Sequence, residues 1–363
     1  MKSFVYTCQK SEINEMYDKL KAKLDNPALI NFISNYDDFS DISAKLHDVF
    51  PNADIIGTTG YSFCNGNCNR DGISIFAVMG EVVVQGGVLE DISSHPIKHI
   101  KTVENALDKV KGEENNSVCF EFCTGAEEQV VTTLNFVLQK QNVGLIGGTS
   151  SATPSDKVKY VSYNGKIYQN SCVFAIVKSL KGRVKVYKEN IYEAFGDSYT
   201  ATDVDVQTRR VIKLDNKRAT EVFAKGMGIK EDDILKYQFT NPLCREIKGE
   251  TYICGIKEVF ADGSIACYKN VYCNDLVKIT DIGNYKSIIN GTLDMIKNEF
   301  SNGISGFFSI NCFHRYLYFE EQGYTLEYAK TMEKIHEHCG MISDGEQYNS
   351  QHVNLSMVCV VFE

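Results

Sequence analysis

Residues Ser117 to Cys123 read SVCFEFC, and Val143 to Ser150 read VGLIGGTS. Alternation makes the first a strand, with Val118, Phe120 and Phe122 on a core face and Cys119, Glu121 and Cys123 on the other. That second face is expected to lie under a helix, with Glu121 at the sheet rim. Between the two stretches, Glu127 to Gln141 carries Val130, Val131, Leu134, Val137 and Leu138 at helical spacing. Strand, helix and strand in that order suit a crossover between parallel strands. Tyr168 to Val177 (YQNSCVFAIV) then returns as a further strand, expected to add antiparallel.

The same order recurs on both sides. Towards the C-terminus, Ser305 to Cys312 is a strand, and Leu326 to His338 a helix with Leu326, Ala329, Met332 and Ile335 on one side. Gly340 to Glu346 is a turn and His352 to Phe362 a closing strand. Towards the N-terminus, the strand Ala28 to Ser34 precedes a helix marked by Ile42, Leu46 and Val49. Ala53 to Gly60 follows as strand and turn, and Gly72 to Met79 closes the series. Asn35 precedes Gly57 by 22 residues, as Gly125 precedes Gly147. Three matching successions imply an internal repeat. The expected fold class is α/β (α+β), with mixed β-sheets flanked by helices and built from repeated strand-helix-strand-turn-strand units.

Tyr199 to Thr280 departs from this order. It holds a strand over Thr208–Leu214, a turn at Asp215-Asn216 and a helix over Arg218–Lys225. Tyr252–Phe260 and Ser264–Tyr268 form a hairpin through Asp262-Gly263. The expected domains are 1–195 and 196–363. With five prolines and no Ser/Gly run, nothing reads as a flexible linker.

The chain has 363 residues, 43% hydrophobic and 23% charged, enough to build a large core. A net charge of −9 opposes phosphate backbones, so no nucleic-acid partner is expected. The longest apolar run, Met357 to Phe362, is far short of the roughly 18 residues of a membrane span, so no membrane insertion is expected. Thirteen cysteines are too sparse for a disulfide scaffold, and no apolar leader precedes Cys8. The expected setting is the reducing cytoplasm.

Enzyme signatures are not found. Gly226-Met227-Gly228 lacks the third glycine of a dinucleotide fingerprint, since Glu231 stands in its place. His336 and His338 project about 200° apart on a helix and cannot share an ion. Their plainer role is to close a helix C-terminus before Gly340. Cys64 and Cys68 could begin a zinc site but have no second pair. No catalytic residues and no metal ligands are therefore assigned.

The ligand-binding expectation rests on the small-residue turns. Gly57-Thr58-Thr59-Gly60, Gly147-Gly148-Thr149-Ser150 and Gly340 through Gly345-Glu346 would each expose backbone N–H groups and hydroxyls. The competing reading is three ordinary tight turns. A second constellation is Cys312, His314 and Arg315 at a strand end, with Glu346 and Asn354 later in the chain. Arg315 could grip a carboxylate bidentately or pair internally with Glu346.

These motifs, in this order, resemble the FIST-domain proteins, named for F-box and intracellular signal transduction. The resemblance rests on Ile55 to Gly60, on the Gly147-Gly148 turn with the strand from Tyr168, and on Cys312-x-x-Arg315 with Gly345-Glu346 and Asn354. Pro242-Leu243 and Asp262-Gly263-Ser264-Ile265 extend it into the second half. Thr58 and His314 depart from the family pattern, where Cys and Gly are common. The resemblance implies a non-catalytic sensory module of intracellular signalling that binds an amino acid or other small carboxylate between its halves. Neither a kinase nor an F-box accompanies it, so output is expected through a signalling partner in trans. One alternative is a haem-binding nitric oxide sensor with His314 or His352 as axial ligand. Another is a thiol-dependent enzyme using Cys123 or Cys312.

Overall fold

In the computed structural model, residues 1–35, 37–153, 155, 157–247 and 249–363 are described. The chain opens with β1 (Lys2–Gln9), α1 (Ile13–Lys23), β2 (Leu29–Ser34), α2 (Phe39–Val49) and β3 (Asp54–Thr59). A hairpin of β4 (Tyr61–Cys64) and β5 (Asn67–Asn69) follows, then β6 (Gly72–Met79). The next elements are β7 (Val82–Glu90), α3 (Ile100–Val110), β8 (Ser117–Cys123), α4 (Glu127–Leu138) and β9 (Gly144–Thr149). Hairpin β10 (Val161–Tyr163) and β11 (Lys166–Tyr168) leads to β12 (Ser171–Ser179) and β13 (Val184–Asn190).

Eight strands come next: β14 (Tyr192–Asp205), β15 (Arg210–Leu214), β16 (Lys217–Arg218), β17 (Leu243–Ile247), β18 (Glu250–Cys254), β19 (Ile256–Val259), β20 (Ile265–Cys267) and β21 (Leu276–Ile282). Helix α5 (Ala219–Met227) lies among them, and α6 (Tyr285–Glu299) follows. The chain ends with β22 (Gly306–Cys312), α7 (Phe313–Glu321), α8 (Thr325–Met332), β23 (His338–Ser343), hairpin β24 (Glu346–Tyr348) and β25 (Gln351–Val353), and β26 (Ser356–Phe362).

These elements divide into two units. The first holds Met1–Lys188, Leu293–His352 and Met357–Glu363, and the second Glu189–Thr292 and Val353–Ser356. The first unit has three six-stranded sheets of one pattern: β1-β6-β2-β3-β10-β11, β7-β12-β8-β9-β24-β25 and β13-β26-β22-β23-β4-β5. In each, the middle pair is parallel: β2 with β3, β8 with β9, β22 with β23. The returning strand, β6, β12 or β26, adds antiparallel. The fold is thus α/β with mixed sheets and flanking helices.

Among the described residues no sheet is closed by its own hairpin. The hairpin that follows β3 completes the third sheet, the one after β9 the first, and the one after β23 the second. Three donations close a cycle.

Strand alternation decides which face meets what. Ile30, Phe32, Ile55 and Ile75 pack with Leu20, Phe39, Ile42 and Leu46 of α1 and α2. Cys119, Cys123, Cys172 and Phe174 pack with Val103, Leu107, Leu134 and Leu138 of α3 and α4. The opposite faces meet through aromatic rings: Phe76 to Phe308 at 5.3 Å, Phe120 to Phe308 at 5.6 Å and Phe76 to Phe120 at 6.3 Å, one ring from each sheet.

Three local expectations are corrected. Glu121 is fully buried under the helices rather than at a rim, because Gly147 on the paired strand leaves room for it. The helix from Leu326 ends at Met332, and Leu326 is half exposed. His338 opens β23 instead of closing a helix; burial and the ring of Phe307, 4.9 Å away, hold it in the sheet.

Among the described residues the second unit has an eight-stranded sheet of order β18-β17-β21-β14-β15-β20-β19, with β16 on β15, and α5 packs against it. Its core joins Val211, Leu214, Phe223, Ile234, Leu243, Ile265 and Val277.

Candidate functional site

The small-residue stretches lie at the ends of the parallel strands. Gly57 is in register with Phe32, Gly147 with Glu121 and Gly340 with Ser309. A Cβ on these glycines would fall 2.1 Å from the Phe32 ring, 2.1 Å from Glu121 Oε1 and 2.4 Å from Ser309 Oγ. Glycine here accommodates a neighbouring side chain. A Cβ on Gly148 would likewise meet Met341 Sδ at 2.8 Å.

The donors expected to face a ligand are consumed inside the first unit. Thr58 and Ser150 share a hydroxyl hydrogen bond of 2.9 Å, and Thr59 Oγ1 donates to the Ser151 carbonyl at 2.6 Å. The Gly60 amide donates to Ser34 O, the Ser150 amide to Cys123 O and the Thr149 amide to Gly345 O. Gln347 Nε2 donates to Thr149 Oγ1 at 3.2 Å. Thr58, Thr59, Thr149 and Ser150 are fully buried, which corrects the expectation of exposed, donor-rich turns. The three bends do converge, but on one another. Gly60 and Ser151 meet there with Ile342, and Asp344 accepts from Ser151 Oγ at 2.8 Å.

The second constellation is also interior. Cys312 ends β22, while His314 and Arg315 begin α7, an element not anticipated from sequence. Arg315 is fully buried, with its guanidinium over Phe319 at 5.1 Å and Tyr328 at 5.5 Å. Glu346, opposite Gly148 in register, is fully buried as well. Asn354 belongs to the second unit. His314 is half-buried at a helix start; burial lowers its pKa, against an upward pull from Asp344. His352 is buried with Nδ1 3.2 Å from the Glu346 carbonyl. Neither imidazole lines either cavity described below.

The thiols lie in differing surroundings. Burial, then Glu121 and Glu127, push the Cys123 thiol well up, which disfavours the thiolate a nucleophile needs. Burial also raises the Glu121 carboxyl well above the usual range, and Cys172 donates to its Oε2 at 3.5 Å. Cys64 and Cys68 sit opposite Asn67 and Phe63, so alternation sends their thiols to opposite faces of the hairpin. Among the described residues no group of three His, Cys, Asp or Glu side chains could hold a metal ion.

Two cavities lie in the second unit. Between Phe195 and Tyr199 the register of β14 against β21 slips, because four positions on β14 span two on β21. Gly196 turns the bulge with φ +69°. Beside it, a cavity of about 400 Å³ is lined by Gly196, Asp197, Tyr199, Asp215, Lys217, Glu221, Val222, Lys225 and Gly226. Asp215 Oδ1 accepts from the Thr200 amide at 2.8 Å, fixing one wall. The Tyr199 phenol is raised by burial and then by Asp197 and Asp215, which marks two carboxylates close to it. A Cβ on Gly226 would lie 2.8 Å from Tyr199 Oη, so glycine admits that ring. A second cavity of about 380 Å³ lies by Arg218, Thr220, Glu231 and Phe260.

Comparison with protein families finds the FIST N domain over residues 28–217 and the FIST C domain over 219–349. The chain belongs to the FIST family. Among curated proteins no match is found. FIST domains are sensory domains of signal transduction. The FIST N match runs past Lys188 into the second unit, and the FIST C match returns to the first. The lining of the larger cavity therefore draws on both FIST domains, Gly196 to Lys217 from one and Glu221 to Gly226 from the other. No helix among the described residues is long and apolar enough to cross a membrane. Sequence reasoning missed this cavity. Its signal was a glycine inside a long strand-like run, followed by Asp197 and Ser198.

Proposed function

We propose that this FIST protein is a non-catalytic, cytoplasmic sensor that binds a small zwitterion, of which an α-amino acid is the simplest, in the cavity beside α5. The observation that carries this reading is the lining of that cavity: two lysines, three carboxylates and one tyrosine around about 400 Å³. Lys217 and Lys225 suit a carboxylate, while Asp197 and Glu221 suit an ammonium group. A dianion would meet three like charges there, so a zwitterion is favoured over a dicarboxylate. The donors at the Gly57 and Gly147 bends are buried and engaged within the first unit, which supports a site away from them, where residues of both FIST domains line one cavity. The like pattern of the three sheets supports duplication of an ancestral unit. In this reading the sensor hands its signal to a partner protein in trans.

Isothermal titration of the full chain against the common amino acids and simple monocarboxylates tests this. Saturable heat with an amino acid, weakened at least tenfold by Lys225→Glu and by Asp197→Lys, supports it. Absence of heat and of any thermal shift across the set at millimolar concentration overturns it.

A further inference from the structure

Cys64 and Cys339 stand directly opposite one another on the antiparallel strands β4 and β23. The next pair along, Asn65 and His338, is hydrogen-bonded through the Asn65 amide at 3.1 Å. Antiparallel pairs alternate, so Cys64 and Cys339 occupy a non-hydrogen-bonded position, where Cα atoms approach to about 4.5 Å. A disulfide accepts Cα separations of roughly 4.4–6.8 Å. Both cysteines are free thiols, and their side chains are within hydrogen-bonding reach of each other.

We infer that Cys64 and Cys339 form a redox-modification site, closing to a cross-strand disulfide when a peroxide acts as oxidant. One sulfur attacks a peroxide oxygen, the O–O bond breaks, and a sulfenic acid and water form. The second sulfur then attacks the sulfenic sulfur and expels the oxygen as a second water. The two sulfurs supply the two electrons, and their two protons leave in the waters.

Both thiols are fully buried while the sheet is closed, as Cys123 and Cys172 are, so the oxidant must reach them by local opening of the hairpin. Its strands are four and three residues long, and its turn at Asn65 is exposed. Glu333 Oε1 holds the turn from outside, accepting from the Gly66 amide at 3.0 Å and the His338 amide at 3.2 Å. Short hairpins held by few bonds open locally far more often than a domain unfolds. Cys123 and Cys172 are also opposite in register, yet differ in surroundings. Cys172 donates to Glu121, Cys123 faces Thr149 Oγ1 at 3.7 Å, and both lie in the core under α3 and α4. The disulfide would tie a donated hairpin to the sheet that receives it.

The test is non-reducing peptide mapping of the reduced full chain after graded hydrogen peroxide and alkylation. The expected product is a Cys64–Cys339 cross-linked peptide, with loss of two thiols beyond the exposed Cys273 when the thirteen are titrated after denaturation, and recovery of those two by dithiothreitol. Cys339→Ser should abolish that loss, and Cys123→Ser should leave it intact. The wild-type peptide map decides the matter even where a variant folds poorly. Retention of both thiols at peroxide levels that fully oxidise the exposed Cys273, or cross-linking of Cys123 with Cys172 instead, overturns the inference.

Discussion

Glu121 lies across Gly147, its partner in register on the neighbouring parallel strand, so closely that a Cβ there would sit 2.1 Å from Oε1. The glycine is thus a packing requirement set by another strand. Gly147→Ala is expected to destabilise the protein by about 1–3 kcal/mol through overpacking. Combined with Glu121→Ala, part of that loss should return, because the clash is removed. Urea unfolding of both single variants and the double variant measures it; strictly additive losses would contradict the steric relationship.

The same carboxyl gives a pH dependence of known sign. Burial raises Glu121 well above its ordinary 4.5, so the native state keeps a proton that the unfolded chain releases. Its contribution is full below that ordinary value and is lost as pH rises towards the native one, with a limiting slope of about 1.4 kcal/mol per pH unit. Urea midpoints measured from pH 5 to pH 8 should therefore fall less steeply for Glu121→Gln than for the wild type.

His338 acts in the opposite sense. Burial lowers its pKa from 6.5 to about 3, so it is neutral in the folded state. Its Nε2 is 2.8 Å from Ser309 Oγ, which also accepts from Asn311 Nδ2, and Tyr328 Oη donates to Asn311 Oδ1. The contribution of neutral His338 is full above pH 6.5 and is lost as pH falls towards 3. Lowering pH from 7 to 5 should shift the urea midpoint down less in His338→Gln than in the wild type.

Arg315 is stacked on Phe319 and Tyr328 with no exposed surface. Lysine keeps the charge but not the planar guanidinium, so Arg315→Lys is expected to cost about 2 kcal/mol or more. A thermal melt reads this, and an unchanged midpoint would argue against the stacking role.

At the cavity, Gly226→Ala places a methyl 2.8 Å from Tyr199 Oη and 2.7 Å from Ile279 Cδ1. Displacement of the Tyr199 ring should weaken amino-acid binding at least tenfold. The exposed position of Gly226 should keep the stability loss near the roughly 1 kcal/mol typical of single substitutions. Titration and melting on one preparation separate the two effects.

Much of the fold was legible because alternation and helical spacing are local signals. Ser117–Cys123 and Gly306–Cys312 are strands as their patterns imply, and Phe120 faces the aromatic core. The helix Phe313–Glu321 was missed, since adjacent aromatics and Arg315 mask its period until the buried Arg315, Tyr316 and Phe319 show its face. In sequence the glycine bends resemble ligand cradles, because a sequence does not reveal which side chain a paired strand will lay across them. Phe32, Glu121 and Ser309 do so, and each lies 25 to 31 residues upstream of its glycine. The cavity at Gly196 escaped notice because a bulge is defined by register with a distant strand, here β21.

The circular lending of hairpins orders events during synthesis. Residues 61–69 leave the ribosome early, yet their seat beside β23 exists only after residue 338 has been made. Until then the first-made hairpin has no dock and the third sheet no edge, so a nascent chain must carry unpaired backbone through most of its translation. Truncation anywhere before the last β-hairpin would leave at least two sheets incomplete at once, and chaperone dependence should rise accordingly.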